Sequence, residues 1–353
     1  MADAPADSLD SFTLSLSMLL IIITILGVSF ILYALLGGAD FGAGIVETFA
    51  GRKGEKTISK AIAPVWEANH VWLILAIVII FTGFPFVYST ISTALHIPLM
   101  IVLIGIVLRG SSFTFRYYDV THDATHKYYT LFFRLSSFIT PLFLGITMGG
   151  MILGGISVGS EGGFYERFIS PWLNVFCFTM GLFTTALFGY IAAVFLIGEA
   201  TYPVEQKRYV RLSKLFLLAT FILGVLVFVS AEWHRHHLFD AFFRSPFSIA
   251  SLSTVILLVP LIFYLSEHPV IIYLRAAVAV QVALVVTGWF AIQFPVLVYE
   301  KNGAHLTFYN TSAPEATLYQ LMIALFVGLL LIIPAFYFLF KVFKKTDEQQ
   351  AGL

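Results

Sequence analysis

Nine long apolar stretches alternate with short polar connections along the chain, and no stretch long enough to fold as a water-soluble domain interrupts them. A helix crossing the hydrocarbon core of a bilayer needs about 20 mostly apolar residues at ~1.5 Å rise each. On that ground the sequence predicts spans at residues 17–39, 70–89, 95–115, 129–156, 171–197, 210–230, 249–266, 270–293 and 317–340. Only Ser266-Glu267-His268-Pro269 separates the seventh from the eighth, and the proline with its polar neighbours predicts a tight turn rather than one long helix. The fold expected is all-α: a polytopic transmembrane helix bundle, with residues 1–353 forming a single integral membrane domain. The longest water-exposed connections fall at residues 42–62, 231–248 and 294–316.

Basic residues orient this pattern. With the N-terminus outside and the C-terminus in the cytoplasm, sixteen of the twenty Lys and Arg residues fall on the inner side. Arg167, Arg235, Arg244 and Lys301 alone fall outside, a positive-inside bias that also supports an odd number of spans. The first ten residues, MADAPADSLD, are acidic and carry no positive region, so the first apolar run reads as a retained helix rather than a cleaved signal.

Composition narrows the classes further. The chain is 59% hydrophobic and only 11% charged, against about 25% charged in a soluble domain. It is built for lipid. A formal net charge of zero gives a nucleic acid nothing to bind. The single cysteine, Cys177, lies in an apolar run and reads as a small buried hydrophobe. No Walker A, GxSxG, HExxH or Cys-x-x-Cys motif occurs, which leaves soluble-enzyme chemistry without a foothold.

Charge within a membrane segment is costly and marks a candidate site. Asp40 closes the first predicted span in GGADFGAG, Glu67 opens the second in PVWEANHVW, and Arg109 lies late in the third in LRGSSFTFRYY. With alternating span directions all three fall near the inner face. Two acids and an arginine at one depth form either a structural ion pair with a spare carboxylate or the mouth of a proton path, and spacing alone does not choose between them. Arg116, seven residues beyond Arg109, reads as a headgroup anchor, and Glu199 as a solvated helix end.

The nine histidines all fall at or beyond predicted helix ends, so the chain is poorly equipped to ligate a buried haem. Three of them lie in Glu232-Trp233-His234-Arg235-His236-His237, where aromatic and basic groups suit the headgroup region better than a metal. No metal site is expected. Gly38 and Gly42, Gly145 and Gly149, and Gly150 and Gly154 stand four apart, the spacing that lets helix backbones approach in lipid.

Three blocks carry a family resemblance: GGADFGAG at 37–44, IAPVWEANHVWLI at 62–74, and FPFVY at 84–88 followed by LRGSSFTFRY at 108–117. In order and spacing they resemble the pattern of subunit II of bacterial cytochrome bd-type quinol oxidases. The resemblance implies a haem-free second subunit, residing in the bacterial cytoplasmic (inner) membrane. Its partner would be a larger subunit I carrying haems b and d, and the complex would oxidise quinol and reduce dioxygen to water with protons drawn from the cytoplasm. It further implies a proton path through Asp40 and Glu67 and a place for Trp66 near the partner's cofactors. Arg109 would pair with a carboxylate of this chain or with a haem propionate of the partner. The resemblance leaves room for a small accessory subunit and for a quinone held structurally between helices. Two positions depart from the pattern: Gly37 stands where the family often has a second acid, and Glu67-Ala68-Asn69 replaces an Asp-Gly-Asn triplet. The rival readings are a secondary transporter using Asp40, Glu67 and Arg109 as its ion site, against which stands the lack of an internal repeat, and a subunit of another quinone-linked complex.

Overall fold

The computed structural model describes residues 6–63, 66–118, 125–157, 162–234, 238–268, 270–303 and 305–351, and within them all side chains but those of residues 6–14, 52–53, 67, 340 and 342–351. The helices run in the order α1 (Ala6–Ala50), α2 (Arg52–Ile62), α3 (Trp66–Asn69), α4 (Val71–Gly83), α5 (Pro85–Ala94), α6 (His96–Tyr118), α7 (His126–Ile152), α8 (Phe164–Phe168), α9 (Val175–Ile197), α10 (Pro203–Trp233), α11 (Leu238–Arg244), α12 (Pro246–Glu267) and α13 (Ile271–Gln293). A two-stranded antiparallel hairpin, β1 (Val296–Val298) and β2 (Leu306–Thr307), then leads into α14 (Glu315–Ala351). Among the described residues, eight helices are long and apolar enough to cross a membrane, and nine spans result when the bent pair α4–α5 is counted as one.

Three expectations are corrected. The first helix does not stop at residue 39; α1 continues to Ala50, and residues 52–62 form α2, so the connection expected at 42–62 is mostly helical. Asp40, which seemed to end the apolar run, and Glu47 beyond it are paired with arginines of α6, so the helix has no need to end before them. The second span is not one helix. α4 stops at Gly83 and α5 leaves at 114° from Pro85, whose ring has no N–H to continue the ladder and crowds the preceding turn. The Gly83 carbonyl instead accepts from Ala313 N at 2.8 Å, so the segment leading into α14 caps the break. Gly154 is not a packing glycine. With φ of 75° it turns the chain just past the end of α7. The turn expected at 266–269 divides α12 from α13, with Pro269 itself outside the described residues.

α9 is the axis of the bundle and is buried along most of its length, against α1, α7 and α10. Small residues make that possible. A Cβ on Gly42 would overlap the Phe188 carbonyl oxygen, and one on Gly149 would reach 2.9 Å from Cys177 Cα. Asn174 starts α9 by accepting from Cys177 N at 2.9 Å, and Cys177 is fully buried behind it. At the opposite end from the charged cluster described below, the hairpin is tied to the end of α7 by Tyr299 N to Met151 O at 2.9 Å and Lys301 N to Ile156 O at 3.0 Å. Of the histidine-rich segment, Arg235, His236 and His237 lie outside the described residues.

Candidate functional site

Positions 33, 37, 40, 44 and 47 succeed one another by three or four residues and so share one face of α1. That face meets α6. Arg109 Nη2 donates to Asp40 Oδ1 at 2.5 Å and to the Asp40 carbonyl at 3.2 Å, and neither side chain has any exposed surface. Phe41, Phe113 and Phe133 surround the guanidinium, with ring centroids 5.4, 5.8 and 5.4 Å from its carbon. An unpaired charge buried so deeply would cost several kcal/mol. The carboxylate and the aromatic faces offset that cost.

The second oxygen of Asp40 points elsewhere. Oδ2 lies 3.7 Å from His70 Nε2 and has no hydrogen-bond partner from the protein. His70 connects α3 to α4, and its ring sits edge-on to Phe41 at 5.6 Å. The segment that carries the candidate sites at 66–70 is thus folded against α1 and α6. The Trp66 ring lies 5.7 Å from Phe113 and rests where Gly110 presents no side chain. Glu67 stands in α3 between Trp66 and Asn69, and its side chain lies outside the described residues.

Two turns along both helices a second cluster repeats the first. Arg116 Nη1 donates to both oxygens of Glu47, at 2.9 and 3.0 Å, and Nη2 to Ser59 Oγ at 3.0 Å. Arg134 Nε reaches Glu47 Oε1 at 3.0 Å. The Phe133 ring lies between the clusters, 4.2 Å from the Arg116 guanidinium carbon and 5.4 Å from that of Arg109. Arg116 is therefore no headgroup anchor; it is 4% exposed and bound on two sides. Outward from this cluster, His126 pairs with Glu55 at 2.9 Å, Thr57 donates to Glu205 at 3.1 Å, and Arg208 donates to the carbonyl of Ala50 at the end of α1. Glu199 is not simply solvated either, since Arg275 Nη2 donates to it at 2.6 Å.

Sequence reading misses Glu47, which it places in a loop. The signal is present as matched spacing: Asp40 and Glu47 are seven apart, as are Arg109 and Arg116, so two parallel helices can form both pairs at once.

A family model for cytochrome bd terminal oxidase subunit II matches residues 18–343. The chain belongs to that family. Cytochrome bd ubiquinol oxidase subunit 2 of Bacillus subtilis (strain 168) is 25% identical over 325 residues, which cover 91% of this chain and 94% of the relative. Cytochrome bd-I ubiquinol oxidase subunit 2 of Escherichia coli (strain K12) is 28% identical over 132 residues, 37% of this chain and 35% of that one. A chain in the solved structure of bd oxidase from Geobacillus thermodenitrificans, 23% identical, shares the fold with a TM-score of 0.76 over 93% of this chain and 98% of its own. This cytochrome bd subunit II is thus a multi-pass membrane subunit of a quinol:oxygen oxidoreductase complex, and the family implies a subunit I that holds the haems. The transporter reading gives way to that membership.

The departure from the family pattern at Gly37 has a local physical reason. The Tyr33 ring covers Gly37, and a Cβ there would fall 2.6 Å from Tyr33 Cε2. A larger residue at 37 would have to displace the Tyr33 ring.

Proposed function

We propose that this chain is the haem-free subunit of its oxidase, that it lies in the bacterial inner membrane with its N-terminus outside and C-terminus in the cytoplasm, and that Asp40 and Glu67 pass protons inward from the cytoplasmic side. The observation that carries the reading is the division of labour at Asp40. One oxygen is tied to Arg109, while the other faces His70 and has no hydrogen-bond partner from the protein. A carboxylate held by one oxygen and free at the other is fixed in place yet able to take up and release a proton. Glu67 precedes Asn69 and His70 in the segment packed against α1, which suits it to hand protons toward Asp40.

The haem-free assignment draws on donor chemistry. A haem buried in a bundle takes an axial ligand from within a helix. Among the described residues, His96 and His126 start α6 and α7, His234 and His268 cap the ends of α10 and α12, and His305 lies before β2. His70 turns its Nε2 to Asp40. These positions do not fit a haem, so the haems are assigned to subunit I and no step is routed through them here. Orientation rests on the basic asymmetry together with the gathering of Glu47, Arg116, Arg134, His126 and Arg208 at one end of the bundle. A small accessory subunit and a structural quinone remain compatible with this arrangement.

The test is substitution in the assembled complex. Glu67→Gln keeps the side chain's shape but cannot release a proton. With full haem content it should lose most oxygen consumption, whereas Glu67→Asp keeps a good part. Wild-type turnover in Glu67→Gln would reduce the residue to a helix N-terminal acid, stabilising by about 0.3–1 kcal/mol.

A further inference from the structure

Several buried polar groups of α1 and of the segment at 66–70 lack protein partners. Tyr33 Oη, Asp40 Oδ2 and His70 Nδ1 are all shielded from the surface, and none makes a hydrogen bond within the chain. Asn69 Oδ1, one residue before His70, is in the same state, as is Nη1 of the Arg109 guanidinium that holds the other oxygen of Asp40. Tyr33 is 5% exposed and Asp40 2%. Tyr33 lies seven residues before Asp40 on the same face of α1, and its ring centroid is 6.4 Å from that of His70.

Buried donors and acceptors left without partners cost about 1–3 kcal/mol each, and in folded proteins such groups are satisfied by internal water. The separation of 3.7 Å between His70 Nε2 and Asp40 Oδ2 is too long for a direct hydrogen bond, yet it allows one water to sit beside the pair and touch both. The missing side chain of Gly37 makes room for the Tyr33 ring on this face of α1. An apolar cavity would stay dry. The phenol, carboxylate and imidazole gathered here are polar, the surroundings that hold buried water.

We propose that Tyr33, Asp40 and His70 enclose a site for ordered water, and that Tyr33 and His70 are positioning residues that hold this water on the free oxygen of Asp40. The inference rests on the proton-path reading of Asp40 and deepens it. In the step proposed, the water gains a proton from the cytoplasmic side as one of its own O–H bonds breaks and a new one forms on Asp40 Oδ2, so the water is restored, the carboxylate becomes a neutral acid until it passes the proton on, and no oxidant or reductant is needed. Tyr33 and His70 neither gain nor lose a proton overall; they fix the direction in which the water presents its own.

The experiment is infrared difference spectroscopy on the assembled oxidase, combined with oxygen-consumption rates. The unmodified complex should show an O–H stretch of internal water that shifts in heavy-oxygen water and is lost in Asp40→Asn. Tyr33→Phe removes one oxygen and leaves the ring on Gly37. It should move that band, lower turnover about three- to tenfold, the worth of one hydrogen bond on a barrier, and raise the solvent deuterium isotope effect at unchanged quinol KM. His70→Asn should do the same. If both variants turn over at the normal rate with the band unmoved, the water site is wrong, while an inactive Asp40→Asn in the same series would leave the proton path standing. Full activity in Asp40→Asn would remove the path and this inference with it. Should Tyr33→Phe fail to assemble, the unmodified complex decides: no water band sensitive to heavy oxygen means no such site.

Discussion

Arg116 holds Glu47 through both carboxylate oxygens, seven residues further along α6 and α1 than Arg109 holds Asp40. Seven residues of helix advance about 10.5 Å and nearly two full turns. The two pairs therefore hold α1 and α6, which run parallel with α7 packed against both, in one register, and sliding either helix by a single residue would break both. Phe133, from α7, fills the space between the guanidinium groups and brings the third helix into the same register.

Removing one partner of the bidentate second pair should be costly. Glu47→Gln leaves Arg116 buried without a counter-charge, which typically destabilises by about 3–5 kcal/mol. Replacing both, as in Glu47→Leu with Arg116→Met, should recover much of that loss, because Arg134 is 26% exposed in its side chain and can turn to water. Thermal unfolding of the purified complex measures both variants. A double variant no more stable than Glu47→Gln would mean that the cluster does more than balance charge.

The sequence displays the bundle clearly because hydropathy alone defines what lipid tolerates. It hides two things that depend on contacts across the chain. Hydropathy ends the first helix at Asp40, since a charge looks like a boundary until its partner is known, and Arg109 lies 69 residues away. For the same reason Arg116 reads as a surface group and Glu47 as part of a loop. The break between α4 and α5 is hidden within an apolar run, FTGFPFVY, where hydropathy has no contrast; Pro85 after Gly83 is the local signal. The orphaned oxygens around Asp40 cannot be read at all, because they are defined by what fails to reach them.

Membrane orientation has a direct test. A reporter fused after Lys345 should read as cytoplasmic and one inserted near Gly303 as external, given the sixteen basic residues on one side and four on the other. An external signal after Lys345 would place the Glu47 and Asp40 clusters at the wrong face for proton uptake from the cytoplasm.

Gly42 should tolerate no side chain. A methyl group there would strike the Phe188 carbonyl oxygen and the Ala192 Cβ, so Gly42→Ala must separate α1 from α9, at a cost of about 1–3 kcal/mol or more. Gly27 lies on the same helix with nothing within 4 Å of where a methyl group would stand, and Gly27→Ala should be neutral or stabilising by up to ~1 kcal/mol. Yields of assembled complex for the two variants should differ in that order; equal yields would show that the contact between α1 and α9 gives way easily.

His70→Gln should leave the haem content of the complex unchanged, because the imidazole faces Asp40. Extracted haem per complex is the measure. Loss of one equivalent would put an axial ligand in this chain and overturn the assignment of all haems to subunit I.

Arg109 separates structure from proton transfer most cleanly. In Arg109→Leu the Asp40 carboxylate loses the charge that compensates its burial, and it escapes the cost only by taking up a proton or by disrupting the packing. Assembly should therefore fall more than turnover per assembled complex. Arg109→Lys keeps the charge but not the longer arm whose Nη2 serves both the Asp40 carboxylate and its carbonyl, nor the flat guanidinium among Phe41, Phe113 and Phe133, so it should assemble to an intermediate level. The decisive variant combines Arg109→Leu with Asp40→Asn. If the pair serves only to join α1 and α6, removing both charges restores assembly and turnover together. If Asp40 also carries protons, assembly returns while oxygen consumption does not. Normal assembly and normal turnover in Arg109→Leu alone would show that neither role depends on the arginine.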